Sequence, residues 1–169
     1  MSEIDRIEEA NERFASSFEA GDLQIPPARP LIVLTCIDAR VDPAAAFGLR
    51  IGDAHVIRNA GGRATQDAIR SMLISSWLLG TREFAVIHHT DCGMTKFTDD
   101  VLRDMIREGS GVDVDMDFLS FADPEGSARQ DVETIRGTRG FPDGVVVSGH
   151  VYDVRTGRVH EVEPPAPVG

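Results

Sequence analysis

The chain has 169 residues, with 28 Asp+Glu against 17 Lys+Arg, a formal net charge of −11 and a hydrophobic fraction of 41%. That length suits one domain, residues 1–169, with a core of its own, because chains of this size bury roughly 70% of the surface they would expose unfolded. The acidity excludes nucleic acid and anionic membrane surfaces as partners, since both require a basic face.

No stretch approaches the roughly 18 apolar residues of a membrane span. The acidic start Met1-Ser2-Glu3-Ile4-Asp5 is unlike the basic start of a signal peptide, so a cytoplasmic location is expected. Cys36 and Cys92 are too few for a disulfide scaffold, and a reducing compartment keeps them as thiols.

Residues 3–20 carry Ile4, Ile7, Phe14 and Phe18 at helical spacing behind a Ser2/Asp5 capping pair, which predicts an amphipathic helix ending before Gly21. After the turn-rich Ile25–Pro30, the apolar run Leu31–Ile37 has the length and content of a strand covered on both faces. A short helix over Pro43–Leu49, a strand near Ala54–Arg58, a Gly61-Gly62 turn and a helix over Ala64–Leu79 follow. Phe84–His89 reads as a second buried strand, Thr95–Arg107 as a helix, Gly109–Phe121 as a mobile loop and Pro124–Arg136 as a further helix. Val145–Val154 with Arg158–Val162 reads as a strand or hairpin around Thr156-Gly157, and Pro164–Gly169 as a tail that cannot continue regular structure. Strands alternating with helices predict an α/β fold with a mainly parallel sheet flanked by helices, whose ligand site lies beyond the carboxyl ends of the strands.

Both cysteines fall at such ends. Cys36 closes the first buried strand, and strand alternation turns Cys36, Asp38 and Arg40 to one side. In His88-His89-Thr90-Asp91-Cys92 the His-x-x-Cys spacing lets His89 and Cys92 reach one ion, while His88 faces the other way. Cys36, His89 and Cys92 make a Cys2His set, which suits tetrahedral zinc with a fourth position open for water, and an open position marks a catalytic rather than a structural site. Zinc lowers the pKa of such a water toward neutrality, two thiolates less so than three imidazoles, so activity is expected to rise above neutral pH. An Arg40 fork on Asp38 leaves carboxylate lone pairs to accept the proton of a zinc-bound hydroxide and aim it. With that clamp open, Asp38 is close enough in sequence to become a fourth zinc ligand and switch the site off.

Taken singly these residues have plainer readings, because a lone cysteine is most often core and a lone Asp-x-Arg pair most often a surface ion pair. His55, His150 and His160 lack a ligand partner at short spacing, and Met94, Met105 and Met116 read as gap fillers. Gly61-Gly62 lacks the rest of a dinucleotide fingerprint, and Asp113–Asp117 lacks the glycine and terminal glutamate of a calcium loop.

Cys36-Ile37-Asp38-Ala39-Arg40, Arg58-Asn59-Ala60-Gly61-Gly62 and His89-Thr90-Asp91-Cys92-Gly93, in that order, resemble the β-class carbonic anhydrases over about residues 31–154, and most of all their short bacterial and archaeal members. The resemblance implies one zinc per chain on Cys36, His89 and Cys92, an Asp38–Arg40 dyad, and reversible hydration of carbon dioxide to bicarbonate and a proton. In the family's closed state Asp38 joins the zinc. The resemblance further implies an antiparallel edge strand and a homodimer whose N-terminal segment, residues 1–24, packs on the partner subunit, with dimers able to pair into tetramers. The rivals are a hydrolase of carbon disulfide or carbonyl sulfide on the same fold, a non-catalytic zinc-binding sensor, and a thiol-redox protein, the last disfavoured by the absence of Cys-x-x-Cys.

Overall fold

A computed structural model describes residues Met1–Gly169. Five strands, β1 (Leu31–Cys36), β2 (His55–Asn59), β3 (Glu83–His89), β4 (Val146–Tyr152) and β5 (Val159–Pro167), form one sheet in the order β2-β1-β3-β4-β5. The first four pair in parallel and β5 runs antiparallel at the edge, as expected of the α/β fold. The helices are α1 (Glu3–Ala15), α2 (Pro43–Phe47), α3 (Gln66–Leu78), α4 (Asp99–Ser110) and α5 (Pro124–Arg136).

The core lies where α3 and α5 cover one face of the sheet. Ile32, Leu34, Phe84, Val86 and Val147 meet Ala68 and Met72 of α3 and Val132 and Ile135 of α5 there, all buried. Each large apolar side chain so buried contributes roughly 1.5–3 kcal/mol. This layer fixes the ends of β1 and β3 side by side, with Thr35 opposite Ile87. The buried Thr35 hydroxyl donates to the Ile87 carbonyl at 2.7 Å, a second tie across the same pair of strands. Because the chain leaves β1 toward β2 on one side and returns to β3 on the other, the crevice of the fold opens beyond these two ends.

Three elements differ from their sequence reading. The first helix ends at Ala15 rather than near residue 20, where the Ser16 and Ser17 hydroxyls take the Arg13 and Phe14 carbonyls that a further turn would need. The helix expected from Thr95 is broken: a 3-10 turn at Gly93–Thr95 is separated from α4, which starts only where Thr98 accepts from the Val101 amide as its cap. Of residues 164–169, expected as a tail, 164–167 instead complete β5, pairing Pro167 with Val146 and Ala166 with Val147. An edge strand bonds on one side only, so prolines are tolerated there, and a register shift opposite Val147–Gly149 accommodates them. Arg136 of α5 donates to the Pro164 carbonyl at 2.7 Å and pairs with Glu163 at 2.6 Å, securing the strand. No helix is long and apolar enough to cross a membrane.

Candidate metal centre

The parallel pairing of β1 and β3 brings Cys36 at the end of one strand beside His89 at the end of the other. The turn after β3 then returns Cys92, which is 56 residues from Cys36 in sequence, to within 4.0 Å of it, sulfur to sulfur. The donor atoms of Cys36, His89 and Cys92 all lie within 4.8 Å of one another, and all three residues are buried. The sulfurs are far beyond the roughly 2.05 Å of a disulfide but close to the separation of two thiolates each about 2.3 Å from one tetrahedral ion.

The imidazole is set for the same purpose. Nδ1 of His89 donates to the Thr90 carbonyl at 2.9 Å, which leaves Nε2 with its lone pair, and Nε2 is buried without a hydrogen-bond partner. An orphaned nitrogen beside two thiols is costly unless something cationic occupies the space between them. The thiols behave accordingly: the Cys92 contact and the His89 ring hold Cys36 down to about 4, and the same sulfur contact together with burial pushes Cys92 up. Burial alone would push His89 down, but the Cys36 sulfur and the Thr90 carbonyl outweigh it and raise it. The set draws positive charge, and its donors fit zinc.

Asp38 sits at the mouth of this cluster, with Oδ2 3.8 Å from His89 Nε2. Arg40 grips both of its oxygens, Nε to Oδ1 at 3.0 Å and Nη2 to Oδ2 at 2.8 Å, which holds the Asp38 carboxyl well below the usual range. With the clamp closed, Asp38 stands outside the donor cluster of Cys36, His89 and Cys92; its expected place as a fourth ligand belongs to the state with the clamp open. The other half of the same guanidinium reaches the Asp91 carboxylate at 2.9 Å and the Asp91 carbonyl at 2.9 Å, linking the loop after β1 to the loop after β3. Lys96 holds the second Asp91 oxygen at 3.0 Å. Arg58 of β2 completes the frame by donating to the carbonyls of Cys36 at 3.0 Å and Asp38 at 2.8 Å.

A cavity of about 320 Å³ opens onto the cluster, lined by Cys36, Cys92 and Asp38 and by the apolar Ile37, Ala60, Met94 and Phe97. Gly62, at φ +71°, lets the Ala60–Gly62 turn lie directly on the chain at Cys36, because a Cβ there would sit 3.0 Å from the Thr35 carbonyl carbon. Met94, read from sequence as a gap filler, is part of this wall. His55, His150 and His160 stay away from the donor set, as expected.

A carbonic anhydrase family model matches residues 31–114. A β-carbonic anhydrase 1 of Mycobacterium tuberculosis is 41% identical over 154 residues, 91% of this chain and 94% of that protein. The chain belongs to the β-carbonic anhydrase family. A solved carbonic anhydrase of Streptococcus mutans shares 42% identity and a TM-score of 0.92, over 96% of this chain and 99% of that one. A carbon disulfide hydrolase of Saccharolobus solfataricus is 36% identical, over 81% of this chain and 79% of that protein. The α/β fold and the antiparallel edge strand are those the β-carbonic anhydrase motifs implied.

Sequence reasoning missed a second set of charged groups behind the site, Arg63, Asp131 and His88. A signal existed, since Asp131 interrupts the apolar stripe Ala128, Val132 and Ile135 of α5, and a charge within a buried stripe requires a buried partner.

Proposed function

We propose that this chain catalyses the reversible hydration of carbon dioxide to bicarbonate and a proton, with one zinc ion held by Cys36, His89 and Cys92. The observation that carries the reading is the orphaned His89 Nε2 beside two thiols 4.0 Å apart, with an Arg-clamped carboxylate at the mouth of the cluster. Zinc bound there supplies a Lewis acid that makes water a nucleophile near neutral pH. Arg40 keeps Asp38 ionised and oriented, so the carboxylate can accept a hydrogen bond from the O–H of the reacting water and orient it. Ile37, Ala60, Met94 and Phe97 present an apolar surface beside the cluster, which suits a small, uncharged, linear substrate and excludes bulk water. Arg58 keeps the backbone of residues 36–38 from shifting when that substrate enters. Asp38 serves as a switch as well as an orienting group, its release from Arg40 being the step that turns the site off.

The apolar face of α1 supports a homodimer. Ile4, Ile7 and Phe14 are 61%, 62% and 52% exposed, a stripe that a partner subunit would cover, and sedimentation distinguishes a dimer from its tetramer. Two free thiols in the active site suit the reducing cytoplasm.

Stopped-flow carbon dioxide hydration on protein of counted zinc content tests the reading: turnover rising from pH 6.5 to 9 supports it, and absence of turnover with one zinc per chain refutes it. Carbon disulfide hydrolysis is the second reading, favoured by the 36% identical relative of that name, and hydrogen sulfide release in the absence of carbon dioxide turnover would establish it.

A further inference from the structure

The proposed chemistry leaves Arg63, Asp131 and His88 without a role, although they are only 5%, 3% and 0% exposed. Asp131 Oδ2 accepts from Arg63 Nε at 2.8 Å and lies 3.1 Å from His88 Nε2. His88 Nε2 is also 3.2 Å from the Gly62 carbonyl, and with two acceptors around it that nitrogen carries the proton. Charges are removed from water at a large cost, which apolar packing would avoid, so a buried charged network, here with His88 Nδ1 still unpartnered, points to a geometry that packing alone does not specify.

That geometry belongs to residues 118–121. Arg63 Nη1 donates to the Leu119 carbonyl at 2.6 Å, and Leu119 is held at φ +59°, the left-handed region that leucine avoids. From the other side, the Asp99 carboxylate at the start of α4 accepts from the amides of Phe118, Leu119 and Ser120 at 2.8, 3.1 and 2.9 Å. The Phe121 ring that follows stacks on His88 with centroids 5.5 Å apart and lies 5.6 Å below the Arg63 guanidinium. It also packs on the buried cluster of Cys36, Cys92 and Met94.

We propose that Arg63 is a positioning residue for the substrate pocket: tied to Asp131 and His88, it holds residues 118–121 so that the Phe121 ring backs the apolar wall formed by Cys92 and Met94. The inference rests on reading the cavity as the substrate pocket. A wall set this way governs how well a small apolar substrate is held rather than how fast it reacts, and the strained Leu119 stays in place only while both carboxylates and the guanidinium hold it.

The test is the zinc-loaded double variant Arg63→Met/Asp131→Asn, which strands no buried charge and leaves an acceptor for His88. Hydrogen exchange at the Leu119 and Ser120 amides should accelerate at least tenfold. KM for carbon dioxide should rise at least threefold, with kcat within twofold of the parent and zinc still one per chain. Unchanged exchange at those amides overturns the proposal, and so does a fall in kcat with KM unchanged. If the double variant does not fold, Phe121→Leu takes its place with the same KM and zinc readouts, and an unchanged KM overturns the proposal. A parent protein without carbon dioxide turnover would refute the proposed function, while the exchange measurement would still decide whether Arg63 positions the loop.

Discussion

Two arginine–aspartate pairs, Arg40–Asp38 and Arg63–Asp131, differ in almost everything but chemistry. Arg40 and Asp38 keep 47% and 17% of their side chains exposed, whereas Arg63 and Asp131 keep 7% and 4%. Both pairs are 2.8 Å contacts. In water's reach a pair contributes little to stability, and its partners can separate and re-form at small cost, which would suit the proposed release of Asp38 from Arg40. Out of water the same contact is fixed, because either partner alone would be a stranded charge. Burial, rather than residue type, thus divides the working carboxylate from the scaffolding one.

The sharpest way to break this distinction is Asp131→Ala, which leaves Arg63 buried and unpaired. A loss of about 3–5 kcal/mol in urea unfolding is expected, and a loss under about 1 kcal/mol would mean that the buried pair is no more structural than the exposed one. Asp38→Ala should reverse the pattern. Unfolding free energy should change by less than about 1 kcal/mol and zinc should stay bound, while carbon dioxide turnover falls by roughly 10²-fold or more. Retention of full turnover would remove Asp38 from the mechanism. Arg40→Lys is gentler, since the charge stays and only the two-pronged grip on Asp38 is lost; turnover should fall on the order of tenfold at unchanged stability.

The sequence exposed the first pair and hid the second for a physical reason. Asp38 and Arg40 are two residues apart beside a cysteine at a strand end, so local spacing alone brings them together. The Arg63–Asp131 contact spans 68 residues and depends on how α5 packs against the sheet, which no local pattern encodes. The same divide runs through the fold. β1 and β3 carry continuous apolar runs and α5 a helical stripe broken only at Asp131, and all three are legible within a residue or two. The segment 164–167 reads as a proline tail because its strand character comes wholly from the edge of β4, and the break at Lys96–Thr98 comes from a threonine cap competing with an otherwise helical run.

The loop that the buried pair holds offers a last, smaller contrast, because its other anchor is an accessible carboxylate. Asp99 keeps 23% of its side chain exposed, and the Ser120 hydroxyl together with the amides of residues 118–120 lowers its pKa from 3.8 to about 2. A carboxylate that ionises more readily in the folded than in the unfolded chain contributes stability above its unfolded pKa and loses it as pH falls through its folded value. Asp99→Asn should therefore be less stable than the parent by roughly 1 kcal/mol at pH 5 to 7. That gap should narrow below about pH 4 and close near pH 2, measured by urea unfolding across the range. A gap that stays constant down to pH 2 would mean that the Asp99 charge contributes nothing to holding Leu119, and that the anchor on this side is the shape of the loop alone.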